Sequence, residues 1–267
     1  MAPVAEKNKV VVLATNAAST DITNAGDYIF RLFPSDVVRG KLYAGLAIAD
    51  GFEEIAVLVE NALFPQSLLK VFKEEYGKLG GRIVAEETYE PKATDLRMQL
   101  TKIKAVHPRA LFVVSIDQQS GTIAIRQARV LGINAEKIYS TYIILNPTVI
   151  WELSEAANGV VALDISNTIK NEGLREEYTA FHGQEPSYNF FLAAYVDAIQ
   201  ITKNALENCV SNSSIDTDCV KRFFYDMDWF EGQFGKIKFD QNGDVIGVTY
   251  SEWEVIEGKA EEIKQLY

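Results

Sequence analysis

Two histidines, two cysteines and 37 acidic residues are the raw material for chemistry in this 267-residue chain. His107 and His182 do not stand in a cluster with metal-ligand spacing, so no metal site is expected. His107 precedes Pro108 at the end of a helical pattern, where a capping or surface role suits it. No Gly-x-Ser-x-Gly elbow and no Walker loop occurs. Gly77-Lys78-Leu79-Gly80-Gly81 follows a helix and precedes a strand, the reverse of a dinucleotide fingerprint. Asp240-Gln241-Asn242-Gly243-Asp244 has its glycine misplaced for a calcium loop and reads as a hairpin turn. The paired acids Glu53-Glu54 and Glu86-Glu87 read as solvated strand edges rather than a glycosidase pair. Asn212-Ser213-Ser214 fits a glycosylation triplet, a pattern common by chance. Cys209 and Cys219 are too few and too far apart for a Cys-x-x-Cys metal site. They are either bridged across 210–218, as suits an oxidising compartment, or free at the facing ends of two helices.

The elements that would position any site alternate from Asp27 to Leu163. Tyr28–Leu32 reads as a short strand, and Pro34-Ser35-Asp36 opens a helix reaching Ala49. Glu54–Val59 has the length and apolarity of a buried strand. The helix containing Pro65 places Leu68, Leu69, Phe72, Tyr76 and Leu79 on one face and stops at Gly80-Gly81. Arg82–Tyr89 is a charged strand near an edge. A helix over 95–106 turns Leu96, Leu100, Ile103 and Val106 inward. Ala110–Ser115 is another buried strand, followed by a helix over 120–131. Strands at 137–140 and 160–163 flank a helix near 147–157. Such alternation predicts an α/β fold, with a doubly wound parallel sheet over about 28–163. After it come a long helix over 187–208, a second over 216–225, and a hairpin of 236–239 with 245–250. Val10–Leu13 is an isolated buried strand, expected to pair with the late segment in a second lobe.

Open parallel sheets bind ligands beyond the carboxyl ends of their strands. The loops there are 60–64, 115–120 and 140–142. They mix hydrogen-bonding groups with one or two aromatics and hold no activated nucleophile or general base, so they read as recognition rather than catalysis. No enzyme activity and no cofactor are expected. The net charge of −11 argues against nucleic acid and anionic lipid as partners.

Several stretches together resemble the type I periplasmic solute-binding proteins of ABC transporters, in their leucine/isoleucine/valine-binding group. They are Gly26–Asp36, Ile55–Asn61, Leu79–Val84, Asp95-Leu96-Arg97 with Leu100–Lys104, Arg126–Arg129, Gly235–Asp240 and Asn242-Gly243-Asp244. Their order and spacing hold over nearly the whole chain.

The resemblance implies two doubly wound lobes joined by three crossovers, with a small polar ligand, an amino acid or a relative, in the cleft between them. Residues 1–23 and 164–254 map to the first lobe, and 24–163 with 255–267 to the second. The family's opening strands have no counterpart here, so the first lobe is expected to be incomplete and to offer a homodimer surface. The family's ligand positions fall on Asn16, Ala17, Ala18 and Ser19 in one lobe, and on Phe64, Asp117, Gln118, Thr141 and Tyr142 in the other. The acid that receives an α-ammonium in the amino-acid binders falls at Thr141 or Tyr142, and Asp117 is the candidate substitute. The resemblance further implies an ABC permease as partner and a periplasmic or extracellular location, with a lipid anchor on the full-length protein. The competing readings are a sensor module of a receptor or signalling protein, and a non-binding fragment that self-associates.

Overall fold

The computed structural model describes residues 1–165, 171–186, 188–211, 213–233 and 235–266. Ser187, the expected start of the long helix, and Asn212 of the glycosylation triplet lie outside them. The chain forms two compact units, Met1–Ser35 with Ile165–Thr249, and Asp36–Asp164 with Tyr250–Tyr267.

The first unit opens with α1 (Ala2–Asn8), β1 (Val12–Ala14) and β2 (Ile29–Arg31). The second unit follows with α2 (Asp36–Ala49), β3 (Glu54–Glu60), α3 (Leu63–Lys78), β4 (Arg82–Tyr89) and α4 (Arg97–Ala105). It continues through β5 (Ala110–Val114), α5 (Gln118–Val130), β6 (Lys137–Ser140), α6 (Pro147–Leu153) and β7 (Val160–Ile165). Back in the first unit come α7 (Glu172–His182), α8 (Asn189–Cys209), the short β8 (Val210–Ser211) and β9 (Ser214–Ile215), and α9 (Thr217–Asp226). Three strands, β10 (Phe230–Gly232), β11 (Gly235–Phe239) and β12 (Val245–Ile246), complete it. Last, β13 (Tyr250–Ile256) and β14 (Lys259–Leu266) rejoin the second unit.

Among the described residues, the second unit's sheet has the order β14-β13-β7-β6-β5-β3-β4. Strands β4, β3, β5, β6 and β7 run parallel to one another, and β13 with β14 is an antiparallel hairpin. Because side chains alternate along a strand, each central strand fills two cores. Ala56, Leu58, Leu111, Val113, Ile138 and Val160 pack with α4, α5 and α6 on one face. Ile55, Val57, Val59, Phe112, Val114 and Tyr139 pack with α2 and α3 on the other. A fully buried ring such as Phe112 contributes about 1.5–3 kcal/mol by leaving water.

In the first unit β1 pairs with β2 in parallel, Leu13 opposite Phe30. Strands β10, β11 and β12 form a separate antiparallel sheet. The core joins Phe30 and Leu32 to α8, α9 and β11, with Phe30 4.8 Å from both Phe224 and Tyr225 and 5.3 Å from Phe239. Gly243, in the turn between β11 and β12, has a φ of +74°, and a side chain there would strike the carbonyl of Ile29. Cys209 and Cys219 are joined in a disulfide that ties the end of α8 to α9.

Several expectations change. Strand β2, expected in the sheet that reaches Leu163, pairs instead with β1, and that pairing also replaces the expected pairing of Val10–Leu13 with the late segment. A three-residue strand carries no periodicity that distinguishes one sheet from another. The strand expected over 245–250 stops at Ile246, and Tyr250 starts β13 instead of closing the hairpin. Helix α5 begins at Gln118, two residues early, because Asp117 caps it. Leu79 and Val106, expected inward, are 45 % and 43 % exposed, since each sits past the last turn of its helix, where the helical face no longer applies.

Candidate functional site

Strands β3, β5 and β6 are consecutive and parallel, so the loops after them open at the same end of the sheet. After β3, two residues lead into α3, whose first turn carries Phe64. After β5, Ser115-Ile116-Asp117 lead into α5. After β6, Thr141 leads into a short 3₁₀ turn, Tyr142–Leu145.

The rings of Phe64 and Tyr142 are both half-buried and meet with centroids 6.0 Å apart, tilted by 57°. Beneath them lies the guanidinium of Arg39, from the first turns of α2, 5.6 Å from one ring and 5.7 Å from the other. Arg39 is 1 % exposed. Burial works against its charge, but Tyr250, Asp164, Asp36 and Tyr43 outweigh that penalty and hold the guanidinium above its ordinary range. It is therefore a permanent cation beneath an aromatic surface.

A buried carboxylate builds the neighbouring loop. Glu60, 1 % exposed, accepts with Oε2 from the Ser115 hydroxyl at 2.6 Å, from the Ile116 N–H at 2.8 Å and from the Asp117 N–H at 3.0 Å. A carboxylate that collects three donors fixes the path of the backbone that donates them. Thr141 is fully buried and donates its hydroxyl to the Ser115 carbonyl, which ties the β5 and β6 loops together. Of the expected pair, then, Tyr142 is half-buried against Phe64 and Thr141 braces. Asp117 accepts from the Ser120 N–H at 2.8 Å through Oδ1, so the carboxylate expected to receive an ammonium is engaged as a helix cap. Gln118 is exposed in the first turn of α5.

In the first unit, Asn16 is exposed and Ala17, Ala18 and Ser19 are half-buried on the loop after β1. Ser19 caps a short 3₁₀ turn by accepting from the Asp21 N–H at 3.3 Å. The loop is anchored by Arg31, fully buried on β2. Arg31 donates to the Ser19 carbonyl at 2.7 Å, to the Thr23 hydroxyl at 2.6 Å, and to both carboxylate oxygens of Asp244 at 2.6 and 2.7 Å. Thr23 closes the ring by donating to Asp244 at 2.8 Å.

Four residues of these arrangements, Arg31, Arg39, Glu60 and Asp244, were not among the expected site residues. The signal available was a charge embedded in apolar strand sequence, as in Phe30-Arg31-Leu32 and Val59-Glu60. Such charges are buried only when paired or hydrogen-bonded.

The sequence model of the periplasmic binding proteins matches residues 1–250, and the chain belongs to that family, whose members are extracytoplasmic binding proteins rather than enzymes. Among curated proteins, no sequence matches this chain. The leucine-binding protein LivK of Thermotoga maritima shares 23 % identity and a TM-score of 0.84, over 99 % of this chain and 75 % of that one. The branched-chain amino-acid transporter protein LivJ of Streptococcus pneumoniae, in complex with isoleucine, gives 22 % and 0.80 over 99 % of this chain and 75 % of that one. A solute-binding protein of Rhodopseudomonas palustris in complex with benzoate gives 15 % and 0.80, over 99 % and 73 %. Among the described residues, no helix is long and apolar enough to cross a membrane.

Proposed function

We propose that this chain captures a small solute for an ABC importer outside the cytoplasm, and that the solute carries a carboxylate on a compact apolar body: a branched-chain amino acid or an aromatic acid. The observation that carries this reading is the half-exposed pair of Phe64 and Tyr142 above the buried cation of Arg39. Aromatic faces suit an apolar body, and the carboxylate is inferred from the relatives' ligands, since Asp164 and Asp36 offset the charge of Arg39. The isoleucine- and benzoate-bound relatives both hold ligands of that description.

In this reading the second unit's contacts are Phe64, Tyr142 and Gln118, with Asp117 and Thr141 shaping their loops. Asn16, Ala17, Ala18 and Ser19 are proposed as contacts of the first unit, to be tested separately. The two units are read as the family's two lobes and the permease as the partner, with the periplasm or cell exterior as the location. A homodimer forms no part of the reading.

Thermal-shift measurements against L-leucine, L-isoleucine, benzoate and a neutral amide test it. A carboxylate-bearing compound raises the melting temperature, and Phe64→Ala with Tyr142→Ala reduces that rise by at least about half. If every compound leaves the melting temperature unchanged, the reading fails. A ligand at one hundred times its Kd stabilises by about 2.7 kcal/mol, which such a scan readily detects.

A further inference from the structure

The second unit meets the rest of the chain at three places, between Ser35 and Asp36, between Asp164 and Ile165, and between Thr249 and Tyr250. The residue on its own side of each crossing is therefore Asp36, Asp164 or Tyr250. All three surround Arg39. Its Nη2 lies 3.4 Å from Asp164 Oδ1. Its guanidinium carbon lies 5.5 Å from the centre of the Tyr250 ring. Asp36, one turn earlier on α2, adds a favourable charge. The same guanidinium lies under Phe64 and Tyr142. One buried side chain thus lies beside both half-buried rings and a residue at each of the three crossings.

The chemistry of arginine suits this position. A planar guanidinium offers two faces to aromatic rings and a fork of donors at its edge to carboxylates, all at once. Lysine, a point charge on a flexible stem, cannot meet rings and carboxylates in fixed directions. Packed interiors move as discrete arrangements, so a shift of the rings is passed to whatever the guanidinium holds.

We propose that Arg39 is a positioning residue that couples the Phe64–Tyr142 face to the backbone at the three crossings, so that a solute resting on the rings is registered at Asp36, Asp164 and Tyr250. This rests on the reading of that face as the solute-binding surface, but it is tested without any solute.

The experiment is a double-substitution cycle read by amide hydrogen exchange. Phe64→Leu raises exchange at the backbone around Asp36, Asp164 and Tyr250 by about tenfold in the Arg39 protein, and adds nothing further in an Arg39→Lys background. Exchange in the centres of β3 and β5 stays as it was in each single variant. Strictly additive effects, or a rise spread evenly over the second unit, would mean that Arg39 only fills space, and would overturn the proposal. Should Arg39→Lys not fold, the same cycle between Phe64→Leu and Tyr250→Leu reads the coupling with the arginine in place, and additivity there is equally fatal. Addition of L-leucine and of benzoate separates the two claims. If neither binds, the solute reading fails while the cycle still decides the coupling; if one binds and the cycle is additive, the coupling alone fails.

Discussion

Glu60 shows how a single carboxylate sets the form of a recognition loop. Three donors converge on its Oε2, from Ser115, Ile116 and Asp117. Glu60→Ala leaves one buried and two part-buried donors to find other partners. At about 1–3 kcal/mol for each buried group left unpaired, partly relieved by entering water, the expected net loss is about 3 kcal/mol in urea unfolding. Glu60→Gln keeps an acceptor oxygen and costs less. Equal effects of the two variants would show that the side chain's volume, rather than its hydrogen bonding, fixes the loop. Arg31 has the corresponding position in the first unit, since it holds the Ser19 carbonyl and Asp244 together. Removing one partner of a buried pair costs about 3–5 kcal/mol, so Asp244→Ala is expected to lower the midpoint of chemical unfolding strongly. A shift corresponding to less than about 1 kcal/mol would mean that Arg31 does not depend on that carboxylate. Neither arrangement was legible from the sequence. Charge is read along a chain as surface, and only the partner from a distant segment, 213 residues away for Asp244, reveals that it is not.

At the scale of elements, long apolar runs declared themselves and short ones did not. Strands β3 and β5 and helix α3 follow from run length and spacing, because burial on both faces leaves no room for polar residues. Strand β2 has the same apolar character, but three residues cannot announce their neighbour, so its sheet was misassigned. Helix α7 and the β13–β14 hairpin, whose sequences are rich in charge, were missed. The division of labour between Thr141 and Tyr142 needed their burial. The disulfide was left open by spacing and is formed in the structure. Cross-linking positions ten apart restricts the unfolded chain and contributes about 2–3 kcal/mol. Reduction with dithiothreitol is expected to lower the melting temperature and to expose two thiols to a labelling reagent. An unchanged melt with both thiols labelled would remove the bridge from the account of the first unit's stability.

At the scale of the molecule, five tyrosines make the folded state sensitive to alkali. Burial raises the phenols of Tyr43, Tyr89 and Tyr139 well above their usual range, and those of Tyr76 and Tyr250 to about 12. Tyr139 is raised further by its hydrogen bond to Asp50 at 2.6 Å. In the unfolded chain a tyrosine ionises near about 10. A group raised on folding binds its proton more tightly in the native state, so its contribution is complete below about pH 10 and is lost as pH climbs from there through the folded value. Stability is therefore expected to fall steeply between about pH 10 and 12, with phenolate absorbance from these five rings appearing together with unfolding. Absorbance that rises fully before circular dichroism changes would show that the rings titrate in the folded state.

The same sheet that buries its centre so thoroughly is guarded at its borders. Strand β14 closes one side with Lys259, Glu261, Glu262 and Lys264 exposed, and β4 closes the other with Arg82, Glu86 and Glu87 along its length. A further strand that tried to add to either border would have to strip water from several charges with no partner to offer them. The lattice of backbone hydrogen bonds therefore ends where the chain ends it, and the residues at its margins keep the sheet from growing into fibres.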